Sequence, residues 1–235
     1  MIYRIGHRGA AGYEFGNSIA SILKAIDCQV DFVEIDVQIT KDGKLVVFHD
    51  HSLDKLTNGN GLLIDHSLEQ LQSLRLNNGE QIITFEYLCN FCAEKKVKLL
   101  VDLKNDDIVS ESISILSHYF SNTDFIISSF YHTQLLSIKE KNSQIITSII
   151  FEGCPVDIED FIFKTKADYI SLGFESVTRK IINKIQKVDK KVLLWTVDNP
   201  FDIAHAISMN PDGIISNFPD RIPKLNFEKE SVYYH

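Results

Sequence analysis

His7 and Arg8 stand together near the start of the chain, His49 follows further on, and two charged pairs, Glu34/Asp36 and Asp102/Lys104, repeat an i, i+2 spacing. In a β-strand that spacing turns both side chains to one face. Each pair also interrupts a run of apolar residues, where charged groups are costly to bury without partners. Three carboxylates converging with two histidines and two cations could offset one another around a metal ion and an anion. An oxygen-rich ligand set of Glu34, Asp36 and Asp102 favours one hard divalent cation, Mg²⁺ or Ca²⁺, over zinc. That cation, with Arg8 and Lys104, would bind a phosphate, while His7 and His49 exchange protons with attacking and leaving oxygens. The combination suits phosphodiester cleavage. Taken one at a time, the same residues also read as structural histidines, or as ion pairs (Glu34 with Lys104, Asp102 with Arg8) lining a barrel mouth. Their meeting at strand ends is what favours a catalytic site.

The elements that must position them follow from hydrophobic periodicity. Short β-branched runs at 2–6, 31–37, 97–104, 125–130, 144–151, 168–173, 191–197 and 212–217 alternate with helical patterns. Ile19, Ile22, Leu23 and Ile26 keep i, i+3, i+4, i+7 spacing in a helix expected near 17–27; others are expected near 84–95 and 198–209, the last with Pro200 in its first turn. Strand and helix in alternation mean a parallel sheet covered by helices. A ninth strand-like run, 44–49, is reached through Asp42-Gly43, a two-residue hairpin signal. Centring the hairpin there pairs residues whose numbers sum to 85, so Asp36 faces His49. The run is then an antiparallel return, and eight parallel strands remain. These features predict an α/β chain folded as a (β/α)8 TIM barrel, one domain over 1–235, with a β-hairpin and a small insertion at about 50–83 after the second strand. An open, doubly wound sheet is the alternative.

Composition narrows the function. The formal net charge is −8, from 24 Lys+Arg against 32 Asp+Glu, which argues against a sequence-independent nucleic-acid binder. No apolar run approaches the length of a membrane span, and the first residues lack the pattern of a signal peptide. A cytoplasmic protein with reduced thiols is expected. The lone Cys89-Asn-Phe-Cys92 lies well inside a helical pattern with no second pair to complete a zinc site, so it reads as packing. Gly6, Gly9 and Gly12 do not form a dinucleotide fingerprint. Gly6 and Gly9 read instead as a tight turn that lets His7 and Arg8 face the phosphate. The final stretch, 226–235, is polar and aromatic, and reads as a loose end or a docking segment.

"GHRGAAGYEFGNSIASILKAI", "DFVEIDVQITKDGKLVVFHDHSLDKLTNGNG", "LLVDLK", "SSF", "LLWTVD" and "DGIISNFPD" resemble, in order, the motifs of the glycerophosphodiester phosphodiesterase family from about residue 4 to 222. The resemblance implies a TIM barrel and metal-dependent hydrolysis of a small-molecule glycerophosphodiester to glycerol 3-phosphate and an alcohol. It implies His7 and His49 as the acid/base pair, Glu34, Asp36 and Asp102 as metal ligands, and Arg8 and Lys104 as phosphate-binding groups. The reaction it implies runs through a cyclic phosphate. Glu152 matches an acidic site position, and Trp195 resembles an aromatic wall for the glycerol, although it also reads as a core aromatic. Two departures stand out: Asp102 where the family usually has Glu, and Phe15-Gly16 where it commonly has Pro-Glu. Two other readings stay open, a phosphodiesterase of lysophospholipids or other diesters, and a weakened barrel that binds a phosphate ligand without cleaving it.

Overall fold

The computed structural model describes residues 2–224, so the expectation for 226–235 lies outside the described residues. Eight parallel strands close into a barrel: β1 (Tyr3–Gly6), β2 (Phe32–Ile39), β4 (Lys98–Leu103), β5 (Phe125–Ser129), β6 (Thr147–Phe151), β7 (Tyr169–Gly173), β8 (Lys191–Trp195) and β9 (Gly213–Ser216). The pairing of β1 with both β2 and β9 joins the ends of the sheet. Closure excludes the open, doubly wound alternative. Helices α1 (Ile19–Asp27), α3 (Phe85–Glu94), α4 (Val109–Tyr119), α5 (His132–Lys141), α6 (Ile158–Thr165), α7 (Arg179–Gln186) and α8 (Pro200–Ser208) connect the parallel strands. Asn199 caps α8 by accepting the Phe201 N–H, and Pro200 fills the first turn as expected.

Strand alternation sorts the core into two shells. Along β2, Val33, Ile35 and Val37 pack outward against the helices, while Phe32 joins Ile5, Leu100, Ile126, Tyr169, Leu193 and Ile215 in the cluster that fills the barrel. Continuing by twos from that cluster gives Glu34 and Asp36 on β2, Asp102 on β4, His7 after β1 and Trp195 on β8. The polar site is therefore the upper layer of the barrel's own interior, at the C-terminal ends of the strands. Cys89 and Cys92 are buried in α3, and burial raises both thiols, Cys92 to about 12, as packing residues require.

The hairpin differs from its expected register. β3 (Leu45–Val47) pairs Val37 with Val47 and Ile39 with Leu45, a sum of 84. Gly43, at φ +76°, adds a third residue to the loop between Thr40 and Lys44, whose backbones pair at 2.9 Å. This is the turn with a glycine bulge, not the two-residue turn. Asp36 consequently lies opposite Phe48, whose N–H donates to the Asp36 carbonyl, and His49 falls one residue beyond the paired strand. The same alternation divides β3: Leu45 and Val47 join the main core, whereas Val46 and Phe48 join Leu53, Leu63, Leu71, Leu76 and Ile82 in a separate small cluster. That cluster holds together the segment after the hairpin, including α2 (Leu68–Ser73).

Gly9 has φ +88°, and a Cβ there would come within 2.6 Å of the Ser21 backbone in α1. Gly9→Ala is expected to lower stability by about 1–3 kcal/mol, read as a shift in urea midpoint, because strain and overlap act together.

Candidate active site

The loop after β1 is bent so that two adjacent side chains reach the barrel mouth. Arg8 adopts φ +50°, and its carbonyl accepts the Asn17 N–H at 3.0 Å and the Ser21 hydroxyl at 2.8 Å. Ser18 and Ser21 form a reciprocal capping box at the start of α1, which anchors the far end of the loop.

Asp36 and Asp102 are direct neighbours across β2 and β4, so two carboxylates stand side by side on the inward face. Glu34, one pleat deeper with a longer side chain, reaches the same point. Ligand oxygens of all three lie within 4.8 Å of one another, and all three residues are buried. Like charges so placed demand cations. Lys104 Nζ supplies one, 2.9 Å from Asp36 Oδ1 and 2.6 Å from Asp102 Oδ2. Arg8 Nε lies 3.3 Å from Asp36 Oδ2, and the Asn17 amide donates to that oxygen at 2.8 Å. The Arg8 backbone N–H donates to Glu34 Oε2 at 2.8 Å.

These surroundings separate the three acids. Burial pushes Asp36 up, but Lys104 and Arg8 outweigh it and bring the carboxyl down to about 2. Burial and the Asp36 charge push Glu34 well above the ordinary carboxylate range. Burial raises Asp102 to about 6 against the opposing pull of Lys104. Burial opposes the Lys104 charge, yet Asp36 and Asp102 hold it above its usual range.

The residues fit a hard divalent cation. Asp102 Oδ1 is buried with no hydrogen-bond partner, an orphaned acceptor beside two other carboxylates. A cation there would be held by Glu34, Asp36 and Asp102. Protons on Asp102 and Glu34 compete with it, so affinity should fall on acidification, by about tenfold per pH unit for each competing proton once the pH lies below that group's pKa, about 6 for Asp102. Titration calorimetry with Mg²⁺ or Ca²⁺ at pH 8 and pH 5 checks this; equal affinity at both would contradict it.

His7 Nδ1 lies 2.8 Å from Asn217 Oδ1, and its Nε2 is 4.0 Å from Glu34 Oε2. Burial, with Arg8 alongside, brings His7 down to about 4, so the ring is neutral near pH 7. His49 Nδ1 lies 2.6 Å from Asp50 Oδ1, and burial lowers this histidine as well. A carboxylate only accepts, so His49 Nδ1 carries the proton there and Nε2 is free.

One cavity of about 260 Å³ collects His7, Arg8, Glu34, Asp36, His49, Asp102, Lys104, Glu152 and Trp195, every site residue expected from the sequence. Trp195 stacks edge-on against Phe130 at 5.9 Å, and Glu152 is exposed at the rim. Among the described residues, five buried side-chain atoms lack a hydrogen-bond partner, and three of them, Arg8 Nε (in ion-pair range of Asp36 but not hydrogen-bonded), Asp102 Oδ1 and Trp195 Nε1, belong to this cavity. Lys104 is the expected residue whose surroundings differ most, since its charge is engaged by two of the acids. Gly16 packs tightly beside Arg8: a Cβ there would lie 3.2 Å from both Arg8 Cβ and Ala11 Cβ, so a side chain at this position would bear on the Arg8 stem. Glu14 is exposed at the surface and Arg8 leans on Asp36 instead. Phe130, Ser128, Asp50, Asp198 and Asn217 are not singled out by residue type and spacing, although the quoted motifs "SSF", "VVFHDHSLD", "LLWTVD" and "SNFPD" contain all five.

A profile of the Glycerophosphoryl diester phosphodiesterase family matches residues 7–221. The Bacillus subtilis protein YhdW is 32% identical over 237 residues, covering 95% of this chain and 97% of its own. A glycerophosphodiester phosphodiesterase of Caldanaerobacter subterraneus is 27% identical over 233 residues, covering 94% of this chain and 96% of its own. Among solved structures, an Oleispira antarctica phosphodiesterase in complex with the product sn-glycerol-3-phosphate superposes with a TM-score of 0.88. It is 23% identical and is covered over 94% of its length, against 93% of this chain.

Proposed function

The chain belongs to the glycerophosphoryl diester phosphodiesterase family and is a phosphodiesterase, and from that premise we propose that it hydrolyses glycerophosphodiesters to sn-glycerol 3-phosphate and an alcohol with one Mg²⁺ or Ca²⁺. The observation that carries this reading is the buried trio Glu34, Asp36 and Asp102, with the unpartnered Asp102 Oδ1, set between two histidines whose Nδ1 atoms are already engaged. The bound cation supplies Lewis-acid stabilisation of phosphate charge.

The protein's own groups do the rest. The half-exposed Arg8 guanidinium, with Lys104 behind it, holds the phosphate oxygens. Trp195 and Phe130 wall the glycerol side, and Glu152 at the rim accepts a hydrogen bond from a glycerol hydroxyl. One histidine takes the proton from the neighbouring glycerol hydroxyl as its oxygen bonds to phosphorus. The other, entering this step as an imidazolium with a second proton on Nε2, gives that proton to the alcohol oxygen as its bond to phosphorus breaks. The cyclic phosphate that results is opened by water with the two histidines exchanging tasks. A second cavity of about 650 Å³ opens from His49 and Lys104 past Phe130, Tyr131 and Asp50, and provides a path for the departing alcohol.

We read 1–235 as one catalytic domain acting in a reducing, cytoplasmic setting, a reading supported by four free cysteines. Among the described residues no helix is long and apolar enough to cross a membrane. Phosphorus NMR of a turnover reaction on glycerophosphocholine tests the route: a transient cyclic-phosphate signal before sn-glycerol 3-phosphate is expected. Direct appearance of another monoester, such as phosphocholine, would overturn it.

A further inference from the structure

The two histidines are braced differently, and the brace behind His7 reaches further than one residue. Asn217 donates its Nδ2 hydrogen to Asp198 Oδ2 at 2.6 Å. A carboxylate cannot donate, so this bond fixes which way the Asn217 amide points. Its oxygen is the atom 2.8 Å from His7 Nδ1, and a carbonyl oxygen can only accept. Asp198 is fixed in turn. Its Oδ1 accepts the Asn217 backbone N–H at 2.8 Å and the Ser216 hydroxyl at 2.9 Å. The Ser216 oxygen is itself occupied by the Phe218 N–H at 3.1 Å, which leaves its own hydrogen for Asp198. Each donor and acceptor in the chain has one consistent assignment.

We propose that Asp198 and Asn217 are positioning residues for the reaction: they lock the proton of neutral His7 on Nδ1 and reserve Nε2, on the cavity side, as the atom that exchanges protons with substrate. This rests on the acid/base reading of His7 above. When Nε2 takes a proton, the ring becomes an imidazolium and Nδ1–H stays on Asn217. When Nε2 returns it, the same tautomer is restored, so the ring need not turn between the two halves of the reaction. Unlike Asp50 behind His49, the group touching His7 is an uncharged amide, and the negative charge sits one bond further back.

Asp198→Asn tests the relay with little change in shape. The oxygen of the new amide must stay with Ser216 and the Asn217 N–H, which turns its NH2 toward Asn217. Asn217 then flips and presents its own NH2 to His7 Nδ1, driving the ring proton to Nε2. The expected result is a loss of about 10²–10⁴ in kcat, with KM and Mg²⁺ affinity little changed. In nitrogen-15 NMR of histidine-labelled, Mg²⁺-loaded protein, parent His7 should show Nδ1 protonated and Nε2 bare, and the variant the reverse. The double variant Asp198→Asn/Asn217→Asp restores an acceptor facing His7 Nδ1 and should recover the parent tautomer and much of the rate; a role in packing alone would not produce that rescue. An Nε2-protonated His7 in the parent protein, a readout needing no variant, would overturn the proposal, as would an Asp198→Asn enzyme that keeps its rate. If His7→Ala keeps its rate, the acid/base reading fails whatever the tautomer, so the two failures can be told apart.

Discussion

His7→Ala is expected to lower kcat by about 10²–10⁴-fold while divalent-cation affinity and folding remain close to those of the parent protein. His7 follows β1 into the cavity, 4.0 Å from Glu34 but with Nδ1 committed to Asn217. Its contact with the acid trio is at the limit of an ion pair, and near pH 7 the ring is neutral because burial and Arg8 bring it down to about 4. Removing a neutral ring leaves the three carboxylates, Lys104 and Arg8 in place. What is lost is the group that moves a proton. Steady-state kinetics together with calorimetric titration of Mg²⁺ separate the two effects. A variant turning over near the parent rate would refute the role, and one that lost cation binding in step with activity would place His7 among the ligands instead.

Asp36→Asn is expected to act differently and at least as severely, because Asp36 is the hub of the charge network. It is the acid that stays ionised, at about 2, and it meets Lys104, Arg8 and Asn17 at once. Neutralising it removes a ligand oxygen's charge and leaves two buried or half-buried cations with less to answer them. Cation affinity should fall by about 100-fold or more, activity should drop to background at ordinary cation concentrations, and stability should fall by up to about 3 kcal/mol. Calorimetry and a urea melt measure the two losses. Parent-like cation affinity would contradict the assignment of Asp36 as a ligand.

The contrast between these variants shows what was legible in the chain. Glu34/Asp36 and Asp102/Lys104 could be placed on one face because strand alternation is rigid, and β2 beside β4 then brings Asp36 against Asp102 in register. The eight parallel strands were legible for the same reason, their apolar runs being buried on both faces. The hairpin register was not: Asp42-Gly43 signals a turn, but whether Gly43 is a central residue or a bulge is decided by backbone pairing at Thr40 and Lys44. His49 still reaches the cavity through the loop that follows, so the expected neighbour was found by a different path. Asp50 and the Asp198–Asn217 brace have no periodicity and act only through hydrogen bonds made after the barrel closes. Gly16 was visible as a departure, and the structure gives it a meaning, since a side chain there would press on Arg8.

The most direct test of the account is metal-dependent turnover by the purified protein on glycerophosphocholine and glycerophosphoethanolamine, with glycerol 3-phosphate detected by a coupled reaction. Release of glycerol 3-phosphate with Mg²⁺ or Ca²⁺, its loss with EDTA and its return on adding the cation back are predicted. No release under any cation condition would contradict the claim that the trio Glu34, Asp36 and Asp102 serves a working phosphodiesterase.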